Sequence, residues 1–288
     1  MKKAEEKRRA LRDRIASGRM LTVPGAHDPL SAKQVEAAGF EAVYVGSYAT
    51  AAARLGQPDV GIVTLNDMLD HAAAVADAVD IPLLADAENG WNGAVNVWRT
   101  IRGFEKAGVS GIHLEDHAFG KHTDLPPKVA TLDEALAKLR AACEARTDPN
   151  FLIVARTDVI YLFKDVEEGI RRMNAFAEAG ADLVMPSGIS TKMLAEIRPR
   201  LSAKVMITNK PGASTLDEEA AGADIVLYYG FTLQAAYSAV RDALAAFRQS
   251  GSADGIESVR GSVEEFEHFI GYPDFVRRAR AAAATAAE

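Results

Sequence analysis

The chain has one cysteine in 288 residues, Cys143, so an intrachain disulfide framework is excluded. No apolar run reaches the ~18 residues of a spanning helix, which argues against a membrane partner. Positive charge is not in excess. Lys and Arg number 33 against 40 Asp and Glu, and the net charge of −7 disfavours nucleic acid and anionic membranes as partners. No set of His and Cys has zinc spacing. No Gly-x-Gly-x-x-Gly fingerprint follows any apolar run. The N-terminal stretch MKKAEEKRRALRDRIASGRM is charged throughout and lacks the apolar core of a signal peptide. Together these absences predict a cytoplasmic protein.

What the chain does have is 48 % hydrophobic residues, enough for a large core, and a regular alternation. Eight short apolar runs begin at LTVPGA (21–26) and continue through AVYVGS (42–47), PLLADAE (82–88), GIHLED (111–116), LIVARTD (152–158), DLVMPS (182–187), KVMITNK (204–210) and DIVLYYG (224–230). Between them lie amphipathic stripes at helical spacing: Met68, Ala72, Val75, Val79; Val97, Ile101, Phe104; Leu132, Leu136, Leu139, Cys143; Val166, Ile170, Met173, Ala177; Leu233, Ala236, Val240, Leu244, Phe247. Their spacing places Cys143 in the core. EAAGF, EKAGV, AEAGA and AAGAD each set a Gly just past a helix, the signature of a left-handed cap.

Uninterrupted apolar strands alternating with helices predict a parallel sheet covered on both faces. Eight such units close most naturally into a (β/α)₈ TIM barrel, with an open doubly wound sheet as the alternative. The barrel is expected over residues 1–250. Residues 251–288 form a tail whose aromatics, Phe266, Phe269, Tyr272 and Phe275, must be buried on this barrel or on a neighbouring one.

A barrel of this kind places catalysis at the C-terminal ends of its strands. There the runs end in Asp86 and Glu88, in Glu115 and Asp116, and in Arg156, Thr157 and Asp158, with Asp59 in the loop after the second run. Converging carboxylates repel unless a cation holds them. Hard oxygen donors point to Mg²⁺, with Mn²⁺ as the alternative ion. Asp116 and Asp158 read equally well as caps or ion-pair partners. Arg156 reads either as a partner of Glu115 or Asp86, or as the group that grips a substrate carboxylate bidentately. His27 and His71 read as structural or surface groups, and His268 as part of the tail.

Five stretches carry a resemblance over nearly the whole chain: VPGAHDPLSAKQVEAAGF (23–40), RLGQPDVGIVTL (54–65), PLLADAENGWNGAVNVWRTI (82–101), GIHLEDH (111–117) and DPNFLIVARTD (148–158). The chain resembles the isocitrate lyase/phosphoenolpyruvate mutase superfamily. The resemblance implies a Mg²⁺-dependent barrel whose last helix swaps onto a partner, in a homotetramer or dimer. It implies that Asp86 is the principal metal ligand, with Glu88, Glu115 and Asp59 around it. It implies that Arg156 and the segment Ser47, Tyr48 and Ala49 hold the substrate carboxylate, and that Tyr44 is a tyrosine of the lyase branch.

Position 48 usually carries Gly, so Tyr48 reshapes the pocket. The loop of HLEDHAFGKHTDL (113–125) departs from the lyases, which carry a Cys there. Lys121 matches the mutase loops, and the Phe-Gly-basic…Thr-Asp-Leu pattern is similar to the oxaloacetate decarboxylase branch. Pro186-Ser187 replaces a Pro-Glu pair of the lyases. Lys121, His122 and Asp124 are therefore the expected acid–base groups on a closing loop. The expected activity is cleavage of a C–C bond in a small 2-oxo or 2-hydroxy dicarboxylate, of oxaloacetate or substituted-malate type, through an enolate-like species. The alternatives are a P–C bond enzyme and a non-catalytic carboxylate-binding barrel.

Overall fold

Each apolar run contains a strand: β1 Leu21–Pro24, β2 Val43–Val45, β3 Leu83–Asp86, β4 Gly111–Glu115, β5 Leu152–Thr157, β6 Leu183–Pro186, β7 Lys204–Thr208 and β8 Ile225–Tyr228. All pair in parallel, in the order β1-β8-β7-β6-β5-β4-β3-β2. Just beyond β1 the ring is joined to β2, where the Ala26 N–H donates to the Tyr44 carbonyl at 2.8 Å. The result is a nearly closed (β/α)₈ barrel, not the open sheet.

The computed structural model describes residues 2–118, 121–123, 125–253 and 261–285. Its helices are α1 Ala4–Ala16, α2 Pro29–Ala37, α3 Ser47–Thr50, α4 Leu65–Ala78, α5 Ala94–Lys106, α6 Leu132–Ala145, α7 Val159–Phe163, α8 Val166–Glu178, α9 Thr191–Ile197, α10 Thr215–Ala220, α11 Phe231–Ser250, α12 Val263–Phe269 and α13 Tyr272–Thr285. The chain forms two compact units, Met1–Leu233 and Gln234–Glu288. No helix among the described residues is long and apolar enough to cross a membrane.

Two buried layers follow from the period-two alternation of the strands. Leu84, Leu152, Val154, Met185, Met206 and Leu227 fill the barrel interior, while Val45, Ala85, Ile112, Val184, Ile207 and Val226 pack under the helices. The same alternation decides which residues look inward at the C-terminal rim: Asp86, His113 and Glu115, Arg156, Ser187, Thr208 and Tyr229.

The opposite end is closed by α1, where Leu11 and Ile15, four residues apart on one face, join the interior cluster. Its cations hold that position. Lys7 donates to the Ala76 carbonyl at 2.8 Å and Arg8 to the Val109 carbonyl at 2.9 Å. Arg12 pairs with Asp182 at 2.8 Å. The charged N-terminal stretch is thus a plug for the barrel floor.

Gly39, Gly108, Gly180 and Gly222 have φ of +87°, +81°, +106° and +87°, as the cap pattern requires. Two helical stripes differ from the sequence expectation. On α6 the most buried line is Ala135, Leu139 and Ala142, and Cys143 is only partly buried. The small alanines, not the larger Leu132 and Leu136, make its closest approach to the core. On α11, Val240 and Leu244 are 57 % and 63 % exposed in the single chain, so that stripe is not buried within it.

Candidate active site

Tyr44, on β2, points into the barrel and its hydroxyl lies 2.8 Å from His113 Nε2 on β4. His113 Nδ1 is 3.6 Å from Asp86 Oδ1. All three are buried. Burial pushes the His113 pKa down to about 4, against the pull of Asp86, so the imidazole is neutral near pH 7. Burial, with the Asp86 charge adding to it, pushes the Tyr44 phenol well up. Gly46 lies beside this tyrosine because a side chain there would put its Cβ 2.8 Å from the Tyr44 hydroxyl oxygen.

After Gly46 the chain enters α3, whose first-turn N–H groups have no partner within the helix. The Ser47 hydroxyl donates to Asp86 Oδ2 at 3.0 Å. Burial opposes ionisation of Asp86, but His113, Lys121, Arg156 and the Glu88 N–H outweigh it and hold the carboxyl well below its usual range. That N–H donates to Asp86 Oδ1 at 2.8 Å, and the Glu88 carbonyl accepts from the Glu115 N–H at 2.8 Å. Glu88 itself sits at φ +47°, a left-handed conformation that is uncommon outside glycine and clusters at functional sites. Two backbone bonds therefore fix a strained acid between the ends of β3 and β4.

Lys121 completes the acidic side. Its Nζ is 2.9 Å from Glu88 Oε1, 3.5 Å from Asp59 Oδ2 and 3.8 Å from Glu115 Oε1, and it donates to the Ser47 hydroxyl oxygen at 3.2 Å. Burial works against the ammonium, yet Glu115, Asp86 and Glu88 raise its pKa overall. Glu88 and Glu115 are themselves pushed up, chiefly by burial. His122 is more exposed, at φ +56°, with Nε2 at 3.8 Å from Asp59. Asp124 lies outside the described residues.

Arg156 lies beside this cluster. Its Nη1 is 3.0 Å from Glu115 Oε2, and its Nε and Nη2 donate to the two oxygens of Asp158 at 2.8 and 3.1 Å. His117 Nδ1 bonds Asp158 from the other side at 2.8 Å. Asp116 turns outward from the barrel. It accepts from the Thr157 hydroxyl at 2.7 Å, from the Asp158 N–H at 3.0 Å and from Arg172 at 2.9 Å. Both acids are thus ion-pair partners, and the partners of Arg156 are Glu115 and Asp158, not Asp86. Its guanidinium nevertheless lines the cavity.

That cavity, of ≈ 390 Å³, opens at the C-terminal rim. Tyr44, Ser47, Tyr48, Asp59, Asp86, Lys121, His122 and Arg156 line it. Glu88 and Glu115 reach it through Lys121, and Ala49 is buried in α3 away from the lining. Its other walls come from Tyr161, Met185, Ser187, Thr208, Lys210 and Tyr229. The edge of the Tyr48 ring meets Tyr229 at 5.8 Å between centroids. Sequence reasoning missed His113, His117, Lys210 and Tyr229. Strand parity carried a signal for His113, two residues before Glu115, and for Thr208, two residues after Met206.

The donor set fits a hard divalent ion. Asp59, Asp86, Glu88 and Glu115 offer only oxygen, and Asp59 Oδ1 is buried with no hydrogen-bond donor among the described residues. A tighter grouping of ligand atoms, Glu115, His117 and Asp158, lies within 4.8 Å, but the Arg156 cation already pairs with both of its acids. Within the four-acid set, Lys121 Nζ stands within 3.8 Å of Asp59, Glu88 and Glu115.

A parallel eight-stranded barrel with acids, a cation and an arginine converging on one cavity at its C-terminal rim is the architecture of a TIM-barrel enzyme. A family model described as phosphoenolpyruvate phosphomutase matches residues 11–248. The 2,3-dimethylmalate lyase of Eubacterium barkeri is 34 % identical over 269 residues, covering 91 % of this chain and 93 % of its own. A structure of oxaloacetate acetylhydrolase with the product oxalate superposes with a TM-score of 0.89 at 29 % identity, covering 98 % of this chain and 100 % of its own. One of phosphonopyruvate hydrolase with oxalate and Mg²⁺ gives 0.86 at 30 % identity, over 96 % and 98 % of the two chains. The chain belongs to the isocitrate lyase/phosphoenolpyruvate mutase superfamily.

Proposed function

We propose that this chain is a Mg²⁺-dependent carbon–carbon lyase acting on a small 2-oxo or 2-hydroxy dicarboxylate of oxaloacetate or substituted-malate type. The observation that carries the reading is the single cavity in which Asp59, Asp86, Lys121, His122 and Arg156 converge, in a chain similar to a dimethylmalate lyase end to end. The relative's substrate, and the oxalate and Mg²⁺ of the neighbouring structures, support a carboxylate substrate and a divalent ion here. Asp86, Glu88, Glu115 and Asp59 would hold that ion, which when bound supplies positive charge beside the oxygen that becomes negative in the transition state.

The chain's own groups do the rest. Arg156 binds the substrate carboxylate, and the N–H groups of Ser47, Tyr48 and Ala49 at the start of α3 favour the same anionic end. On a 2-hydroxy substrate His122, whose pKa burial lowers, takes the hydroxyl proton as the C–C bond breaks and its electron pair passes into an enolate, whose carbon then takes a proton from Lys121; on a 2-oxo substrate only the second transfer is needed. The Tyr44 hydroxyl, bonded to a neutral His113, is the further proton donor within reach of the cavity. Met185, Tyr161 and Tyr229 line the same cavity and offer surface to a carbon substituent. Assay of oxaloacetate, 2-methylisocitrate, alkylmalates and phosphonopyruvate separates the readings: a 2-oxo acid marks the lyase, phosphate marks the hydrolase, and no turnover marks a binding barrel.

The finer features of the reading concern assembly and setting. The exposed apolar side chains Tyr237, Val240 and Leu244 on α11 and Phe266, Tyr272 and Phe275 further on support a second copy as their cover, in a helix-swapped dimer or tetramer. A cytoplasmic setting accords with a single cysteine that is not paired.

A further inference from the structure

We infer that Lys210 builds a second anion subsite, for a carboxylate at the far end of the substrate from the metal-binding acids. The inference rests on the proposed function and names the part of the substrate that reading leaves open.

The charges around the cavity are unevenly placed. Asp86 ends β3, Arg156 lies on β5, and Asp59, Lys121 and His122 come from the segments following β2 and β4. On the arc formed by β6, β7 and β8, the lining residues are Met185, Ser187, Gly188, Thr208, Lys210 and Tyr229, and Lys210 is the one charged side chain among them.

Position in the ring fixes what Lys210 faces. Strands β3 and β7 stand four places apart in the eight-membered order, which is diametrically opposite. Met206 belongs to the interior cluster, so Thr208 looks inward by alternation, and Lys210 continues that face at the rim. Asp86 and Lys210 therefore stand on opposite sides of the mouth.

Lys210 is also uncommitted. It is partly buried and makes no ion pair or side-chain hydrogen bond among the described residues, whereas Lys121 and Arg156 are each bound to acids. The neighbouring acid Glu218 is already bonded by Asn209 and by the Tyr228 hydroxyl, at 2.8 and 2.7 Å. A partly buried lysine that lines the cavity together with two hydroxyl side chains, Ser187 and Thr208, is a site for a small anion. A substrate whose 2-oxo or 2-hydroxy carboxylate lies at the Asp86 side would present its second carboxylate to it.

The test is calorimetric binding of oxalate, malate and 2-hydroxybutyrate to the wild type and to Lys210→Met, with and without Mg²⁺. Malate and 2-hydroxybutyrate differ in having a carboxylate or a methyl group at the far end, and oxalate is too short to reach it. The expected result is malate favoured over 2-hydroxybutyrate by about tenfold or more in the wild type, the range of a charge-assisted bond. That preference falls to near unity in Lys210→Met, with oxalate affinity held within about twofold, which also shows that the variant is folded. A preference unchanged in Lys210→Met, or an equal loss of all three ligands, overturns the subsite. Oxalate binding that ignores Mg²⁺ overturns the metal-dependent reading alone, and absence of binding by every ligand overturns both.

Discussion

Lys121 Nζ and Glu88 Oε1 are 2.9 Å apart in the buried heart of the site, and the same ammonium is within 3.8 Å of Asp59 and Glu115. A lysine and a divalent ion thus draw on the same carboxylates. Two cations that share ligands compete, so Lys121→Met should bind Mg²⁺ more tightly than the wild type while losing about 10²–10⁴-fold in kcat, the range for a lost acid–base group. Titration calorimetry with Mg²⁺ and steady-state kinetics read the two effects. Weaker Mg²⁺ binding in the variant would show that Lys121 organises the acids instead of competing for them. His122→Ala, farther from the acids, should lower kcat with little change in Mg²⁺ affinity.

Asp86 ends β3 facing the cavity and is fixed by the Ser47 hydroxyl and the Glu88 N–H. Asp86→Asn keeps the shape and one acceptor, for the Glu88 N–H, turns the position facing Ser47 into a donor, and removes the charge. It should abolish Mg²⁺-dependent turnover while the far-ultraviolet circular dichroism of the barrel is retained. Unchanged turnover in the variant, or wild-type activity indifferent to EDTA, would remove the metal from the account.

Arg172 on α8 reaches buried Asp116 at 2.9 Å and the Ala130 carbonyl at 2.9 Å. Removing it strands a buried carboxylate. Arg172→Met should cost about 3–5 kcal/mol in urea unfolding. Restoring neutrality with Asp116→Asn in the same chain should recover part of that loss. A double variant as unstable as the sum of the singles would mean that the two residues act independently.

Residues 256–288 carry all four of the tail's aromatics, Phe266, Phe269, Tyr272 and Phe275. Their deletion should lower the oligomeric mass seen by sedimentation and leave the circular dichroism of the barrel intact. A full-length chain that sediments as a monomer at micromolar concentration would count against the helix-swapped assembly.

Much of this was legible in the sequence because it depends on local pattern. Strand runs such as 152–158 and caps such as Gly108 follow from alternation and φ preference. The acids at the strand ends could be found once the barrel was assumed, since its active rim lies where strands end. Other features depend on what the ring brings together. Nothing local marks Lys210 as facing Asp86, because that relation exists only when eight strands close. The plug formed by Leu11 and Ile15 hid in a stretch dominated by charge, whose cations hold carbonyls and acids at the barrel floor. The α6 stripe shifted for a related reason: alanines pack closest though leucines are more apolar.

The most direct test of the account is product analysis by nuclear magnetic resonance after incubating the purified chain with Mg²⁺ and, separately, 2,3-dimethylmalate, 2-methylisocitrate, oxaloacetate and phosphonopyruvate. The account predicts that at least one carbon substrate is split at a C–C bond, and that EDTA stops the reaction and added Mg²⁺ restores it. Phosphate release from phosphonopyruvate with every carbon substrate left intact would contradict it.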